Sequence, residues 1–195
     1  MKTILLPIED HDEVGAIVAT AANLARAYGS RCEAIGLTHF PYPTVGAEPI
    51  LAVSLAPTFE GDEDKAQRFR GRFEEARSSL PGDLADQFRW RGGDPLEEPD
   101  LAALARVFDL TVIGRPSETP DGPRMTTLET VLFDSGRPIL IAPPEARDGP
   151  IGRNVVLSWN GSTEGAETVT ASLPILKAAE RVTVLTVEGG TVAGP

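Results

Sequence analysis

Thr3 to Ile8 is a short, nearly unbroken apolar run, the pattern of a strand covered on both faces. Asp10-His11-Asp12-Glu13 follows with the acceptor-x-x-Glu spacing of a capping box, in which Asp10 takes a free backbone N–H and Glu13 reaches back. Val14, Ile17, Ala21, Leu24 and Tyr28 then recur at steps of three and four, and Gly29 supplies a stop, which predicts an amphipathic helix. Arg31 to Thr38 predicts a second strand. His39 to Gly61 is irregular, with Pro41, Pro43, Pro49 and Pro57 around Ile50-Leu51-Ala52-Val53, and loops this long usually make contacts or carry function.

Ala66, Phe69, Phe73, Ala76 and Leu80 mark one face of a further helix, which Pro81-Gly82 ends. A third strand is expected around Gln87 to Arg91, followed by the turn Gly92-Gly93-Asp94-Pro95 and a short helix capped by Asp100. Leu110 to Gly114 reads as a fourth strand, Thr126 to Ser135 as a helix and Pro138 to Ala142 as a fifth strand. Strands alternating with helices imply right-handed crossovers, hence a doubly wound, five-stranded parallel α/β sheet of Rossmann-like type with strands one, two and four central. In such sheets ligands sit beyond the carboxyl ends of the strands, where the strand order reverses.

Residues 144–153, rich in Pro, Gly and charge, read as a linker closing a domain of residues 1–143. The pattern then restarts. Asn154 to Asn160 repeats Thr3 to Glu9 at an offset of 151, Thr163 to Ala179 takes the place of the first helix, and Arg181 to Val187 repeats Arg31 to Leu37 at an offset of 150. Residues 154–195 are therefore expected to form an incomplete second copy, strand-helix-strand, whose apolar sheet surface and edge need cover. A two-stranded pair with one helix is not expected to be stable alone.

Charge narrows the functional classes. The 195 residues hold 18 Lys and Arg against 29 Asp and Glu, a net charge of −11, and most of that excess lies before position 150. A surface that negative repels phosphate backbones, so no nucleic-acid partner is expected. No apolar run is long enough to span a bilayer, and the opening segment is too short for a signal peptide core, so a cytoplasmic protein is expected. Cys32 is the only cysteine and reads as a buried structural thiol. His11 and His39 follow different strands with no Gly-x-Ser-x-Gly element beside them and read as surface or loop residues, while Asp62, Glu63 and Asp64 read as a solvated helix start rather than a metal site. Neither catalytic residues nor a metal site are expected.

Ile4-Leu5-Leu6-Pro7-Ile8-Glu9, Gly93-Asp94-Pro95, Val112-Ile113-Gly114-Arg115 and Arg137-Pro138-Ile139-Leu140-Ile141-Ala142-Pro143, in this order, resemble the universal stress protein family. Val155-Val156-Leu157-Ser158-Trp159-Asn160-Gly161-Ser162 resembles the second half of its tandem bacterial members. The resemblance implies pairing of two such domains, as a homodimer or between the copies, and ATP or AMP as possible ligands. It places a carboxylate at the end of the first strand against the nucleotide, and a Gly-x-x-Gly-x9-Gly-Ser/Thr loop after the fourth. Glycines in such a loop let backbone N–H groups approach phosphate oxygens.

The candidate contacts implied here are Pro7, Ile8, Glu9, Gly114, Arg115, Arg124, Thr126 and Thr127, with Asn160 and Ser162 at the equivalent place in the second copy. The motif is incomplete. Ser117 replaces its second glycine, and its third glycine and hydroxyl fall on Thr127 and Leu128, or on Met125 and Thr126 in the other register. Pro116, Pro120 and Pro123 remove N–H donors, while Glu118 and Asp121 repel phosphate. The reading is a stress-response or regulatory binding module with a degenerate nucleotide site. Its alternatives are an ATP/AMP-binding switch or slow ATPase, and a dimerisation scaffold without ligand. Glu9, Asn160 and Ser162 also serve as turn and cap residues that need no ligand.

Overall fold

The computed structural model describes residues 1–38, 62–119, 122–146 and 149–187. The expected irregular segment His39 to Gly61 lies outside them, as do Pro120 and Asp121 of the loop after the fourth strand. Residues 2–147 form one compact unit and residues 148–195 belong to another.

The first unit runs β1 (Thr3–Ile8), α1 (Val14–Tyr28), β2 (Arg31–Gly36), α2 (Asp62–Ser78), α3 (Gly82–Ala85) and β3 (Phe88–Trp90). It continues with α4 (Glu98–Ala105), β4 (Leu110–Gly114), α5 (Met125–Asp134) and β5 (Ile139–Ala142). The strands form one parallel sheet in the order β3-β2-β1-β4-β5, as the alternating pattern implies. The order reverses at β1, whose two neighbours lead away in opposite directions and leave a crevice beyond its carboxyl end.

Both faces are covered. Leu5, Ile35 and Leu37 enter a core with Leu101, Ala105 and Phe108 from the α4 side and Val131 of α5. Ile4 and Leu6 point the opposite way by strand alternation. On that face Gly36 of β2 has the Phe69 ring of α2 directly over it, 2.7 Å from where a Cβ would stand. Gly29 ends α1 in the left-handed region at φ 64°, its N–H donating to the Ala25 carbonyl. Asp109, just before β4, accepts the N–H groups of Lys2 and Thr3 at 2.6 and 3.1 Å, and these bonds hold its carboxyl below the usual range.

Two expected caps are corrected. The residue before α1 is Glu13, without a side-chain cap, because Asp10 is held by arginines of α2 instead. Glu97, not Asp100, precedes α4, and Asp100 lies within the helix.

The second unit contains β6 (Asn154–Ser158), α6 (Thr163–Ala178) and β7 (Arg181–Leu185), with β6 and β7 parallel. Asn154 opposite Arg181 repeats the pairing of Thr3 with Arg31. Ser162 caps α6, its hydroxyl accepting the Gly165 N–H at 3.0 Å. None of the described residues of this unit is buried.

Candidate functional site

β1 carries Pro7 and Ile8 into the sheet centre, both buried, and delivers Glu9 to the crevice. Glu9 is only 9 % exposed. Its Oε1 accepts the Thr127 hydroxyl at 2.9 Å and lies 3.8 Å from Nε of Arg124. Arg124 is the residue preceding α5 and Thr127 sits in its first turn, so the carboxylate stands where the aligned N–H groups favour negative charge. Four of the expected positions, Glu9, Arg124, Thr127 and the exposed Thr126 beside them, are thus brought to one helix start.

Gly114 ends β4 with no room above it. A Cβ there would meet Cγ of Pro123 at 2.5 Å and Cδ1 of Ile17 at 3.3 Å, so the buried Pro123 ring covers the glycine. The loop closes on itself: the Ser117 N–H donates to the Pro123 carbonyl at 3.1 Å, the Gly122 N–H donates to the Thr119 carbonyl at 3.1 Å, and the Ser117 and Thr119 hydroxyls are 2.8 Å apart. Arg115 is exposed, and its N–H is spent on the Ala142 carbonyl of β5. Three backbone donors after β4 therefore already have protein partners, on Pro123, Thr119 and Ala142.

Beside Glu9 a cavity of about 210 Å³ opens between the ends of β1 and β2 and the start of α2. Asp10, Leu37 and Thr38 line it together with Lys65, Arg68, Phe69 and Arg124. Of its three cations, Arg124 was among the expected positions, whereas Lys65 and Arg68 come from α2, which the nucleotide-loop pattern does not include. Arg68 and Arg72, one helical turn apart on α2, reach Asp10 at 3.3 and 2.7 Å, and Arg72 also reaches Asp12 at 3.0 Å. Their i, i+4 spacing was visible in sequence, but nothing local ties them to acids about 60 positions earlier.

His11 lies in the loop between β1 and α1, as expected of a loop residue, but it is buried there, 2 % exposed, and not at the surface. Its Nδ1 accepts the Glu13 N–H at 3.1 Å, which requires the neutral ring. Burial and the Arg72 guanidinium push its pKa down to about 4 against the pull of Asp10 and Asp12. Cys32 is buried as expected, and burial pushes its thiol up to about 12.

Asn160 and Ser162 lie in the second unit and interact with each other, Asn160 Oδ1 accepting the Ser162 N–H at 3.0 Å. That is the turn-and-cap geometry of the start of α6. Among the described residues no group of three or more His, Cys, Asp or Glu is arranged to hold a metal ion, and no helix is long and apolar enough to cross a membrane.

No protein-family model and no curated protein matches the chain. Solved structures do. A universal stress protein from Archaeoglobus fulgidus DSM 4304 is 12% identical over 97% of this chain and 67% of its own, at a TM-score of 0.60. A universal stress protein in complex with cAMP is 18% identical over 74% of this chain and 98% of its own, at 0.47. The universal stress protein UspA from Lactobacillus plantarum is 15% identical over 72% and 97%, at 0.45. At these identities the likeness is one of fold: the chain has the five-stranded α/β architecture seen in universal stress proteins.

Proposed function

We propose that the chain is a cytoplasmic regulatory binding module of universal stress protein type, which acts in a stress response by association and not by catalysis. In this reading residues 1–143 are a complete domain whose nucleotide site is degenerate, residues 144–153 a linker and residues 154–195 part of a second copy. Pairing, between two chains or between the two copies, is the mode of action.

One observation carries the closed-site reading: the Pro123 ring lies on Gly114 while the Glu9 carboxylate takes the Thr127 hydroxyl at the first turn of α5. A phosphate at that turn would meet a fixed negative charge in place of free donors, and would have to displace a buried ring to reach the glycine backbone. The competing reading, an ATP- or AMP-binding switch, has the cavity and its Lys65, Arg68 and Arg124 in its favour.

Calorimetry of the full chain with ATP and with AMP separates the two. The closed site binds neither with a Kd tighter than about 10 μM, or roughly 7 kcal/mol. A tighter Kd for either nucleotide sinks the closed-site reading and selects the switch.

A further inference from the structure

The β1–β4 ladder ends short of the crevice. Thr3 turns its carbonyl to β4, where it accepts the Asp109 N–H, so by alternation Leu5 and Pro7 face β4 as well. The ladder pairs Ile4 with Leu110 and Leu5 with Thr111 and goes no further, since Pro7 has no N–H to give, while β1 stays paired with β2 as far as Ile8. Glu9, two residues on, crosses instead to α5, where its carboxylate accepts the Thr127 hydroxyl at 2.9 Å.

α5 brings no acid of its own to that place. Arg124, the residue before it, has a side chain that only donates, and the first turn holds no acidic residue. Glu9 supplies the charge from β1, 118 positions earlier. Of the acids at the cavity it is also the less screened. Its side chain is 11% exposed, against 40% for Asp10, which Arg68 and Arg72 hold. A buried charge acts on a neighbouring group with little loss to solvent, whereas water and salt damp an exposed one. Lys65, Arg68 and Arg124 would by themselves favour an anion in the cavity.

We propose that Glu9 is the specificity-determining residue of this cavity: its carboxylate takes the partners that a phosphate group would use, and its charge turns phosphate-bearing ligands away. The proposal rests on the closed-site reading above and assigns the exclusion to Glu9 more than to the Pro123 ring over Gly114. Neutralising Glu9 releases Arg124 and the Thr127 hydroxyl to a ligand while the loop after β4 stays as it is.

Phosphorus NMR titration of the full chain with inorganic pyrophosphate, free of divalent metal, tests this. The wild type is expected to bind with a Kd of about 10 mM or weaker. Glu9→Gln keeps the length of the side chain and an oxygen for the Thr127 hydroxyl, loses the charge, and tightens the Kd by about tenfold or more. Asp12→Asn makes the same change in net charge at a side chain 96% exposed and outside the cavity, and leaves the Kd within about twofold. Adding Arg124→Ala to Glu9→Gln takes the gain back, because Arg124 is the cation that Glu9 had faced. Where the glutamine variant does not fold, Glu9→Ser, shorter and also neutral, carries the same expectation.

A Glu9→Gln chain that folds and binds pyrophosphate no better than the wild type overturns the proposal. An equal gain from Asp12→Asn does so too, since net charge would then be the cause, as does a gain that survives Arg124→Ala, which would put the anion elsewhere. Failure of both Glu9 variants to fold also overturns it, because the carboxylate would then hold the fold and not select the ligand. The two readings fail separately. A wild-type chain that binds ATP with a Kd tighter than about 10 μM removes the closed site. A wild type that binds neither ATP nor pyrophosphate, beside a glutamine variant that gains nothing, removes only the role of Glu9.

Discussion

His11 is a buried base whose ring nitrogen accepts a backbone hydrogen bond, so protonation costs both a hydrogen bond and the burial of a charge beside Arg72. Its folded pKa of about 4 lies below the 6.5 it has when unfolded. Between those values the unfolded chain binds more protons than the folded one, so stability rises with pH across that window. The contribution is complete above pH 6.5 and is lost as pH falls to about 4; at 1.36 kcal/mol per unit it is about 3 kcal/mol. Urea denaturation between pH 4 and 7 is expected to show a slope that His11→Gln flattens, and an unchanged slope in that variant would place the proton elsewhere. Single residues were unevenly legible in sequence. Cys32 could be read as buried because it stands in an apolar-leaning strand, on the same face as Ala34 by alternation. His11 could not, because the charge that acts on it comes from Arg72, which the sequence separates from it by 61 positions. Glu9 was placed at its strand end by pattern alone, yet its partner Thr127 was found only in one of two possible registers of an incomplete motif.

At the scale of elements, α2 is held by an aromatic inside and by ion pairs outside, and the two are not equal. Phe73 is fully buried, with its ring centroid 5.6 Å from that of Trp90 on β3. Arg72 reaches Asp10 and Asp12 from a side chain 37% exposed, in water that screens the pair. Phe73→Ala is therefore expected to lower the stability of the full chain by about 3–5 kcal/mol. Arg72→Ala should cost about 1 kcal/mol or less at neutral pH. Urea unfolding of the two variants measures the difference, and equal losses would mean that the ion pairs, not the ring, dock α2. The hydrophobic period of α2 was enough to name Phe69 and Phe73 as its inner face, since buried spacing survives folding unchanged. The start of α1 was not readable in the same way. Asp10 has the composition of a cap, but a charged pair of arginines from a distant helix competes for the same carboxylate and wins it, leaving the helix to begin at Val14.

For the whole molecule the strand-helix-strand order after position 153 was legible because apolar strands and the helix between them keep their order and length. What the pattern could not express is how much of the first unit's core comes from α2, α4 and α5, helices that have no counterpart among the described residues of the second unit. The unit with a buried core and the unit without one should not unfold together. The sequence supplies a reporter for each, because one of its two tryptophans, Trp90, lies on β3 and the other, Trp159, just past β6. In a Trp90→Phe variant, Trp159 fluorescence is expected to change at lower urea than Trp90 fluorescence does in a Trp159→Phe variant. The Trp159 transition should also be broader, since less surface is exposed when that unit opens and the m-value falls with it. Coincident midpoints for the two tryptophans would overturn this, since they would mean that the two units unfold as one.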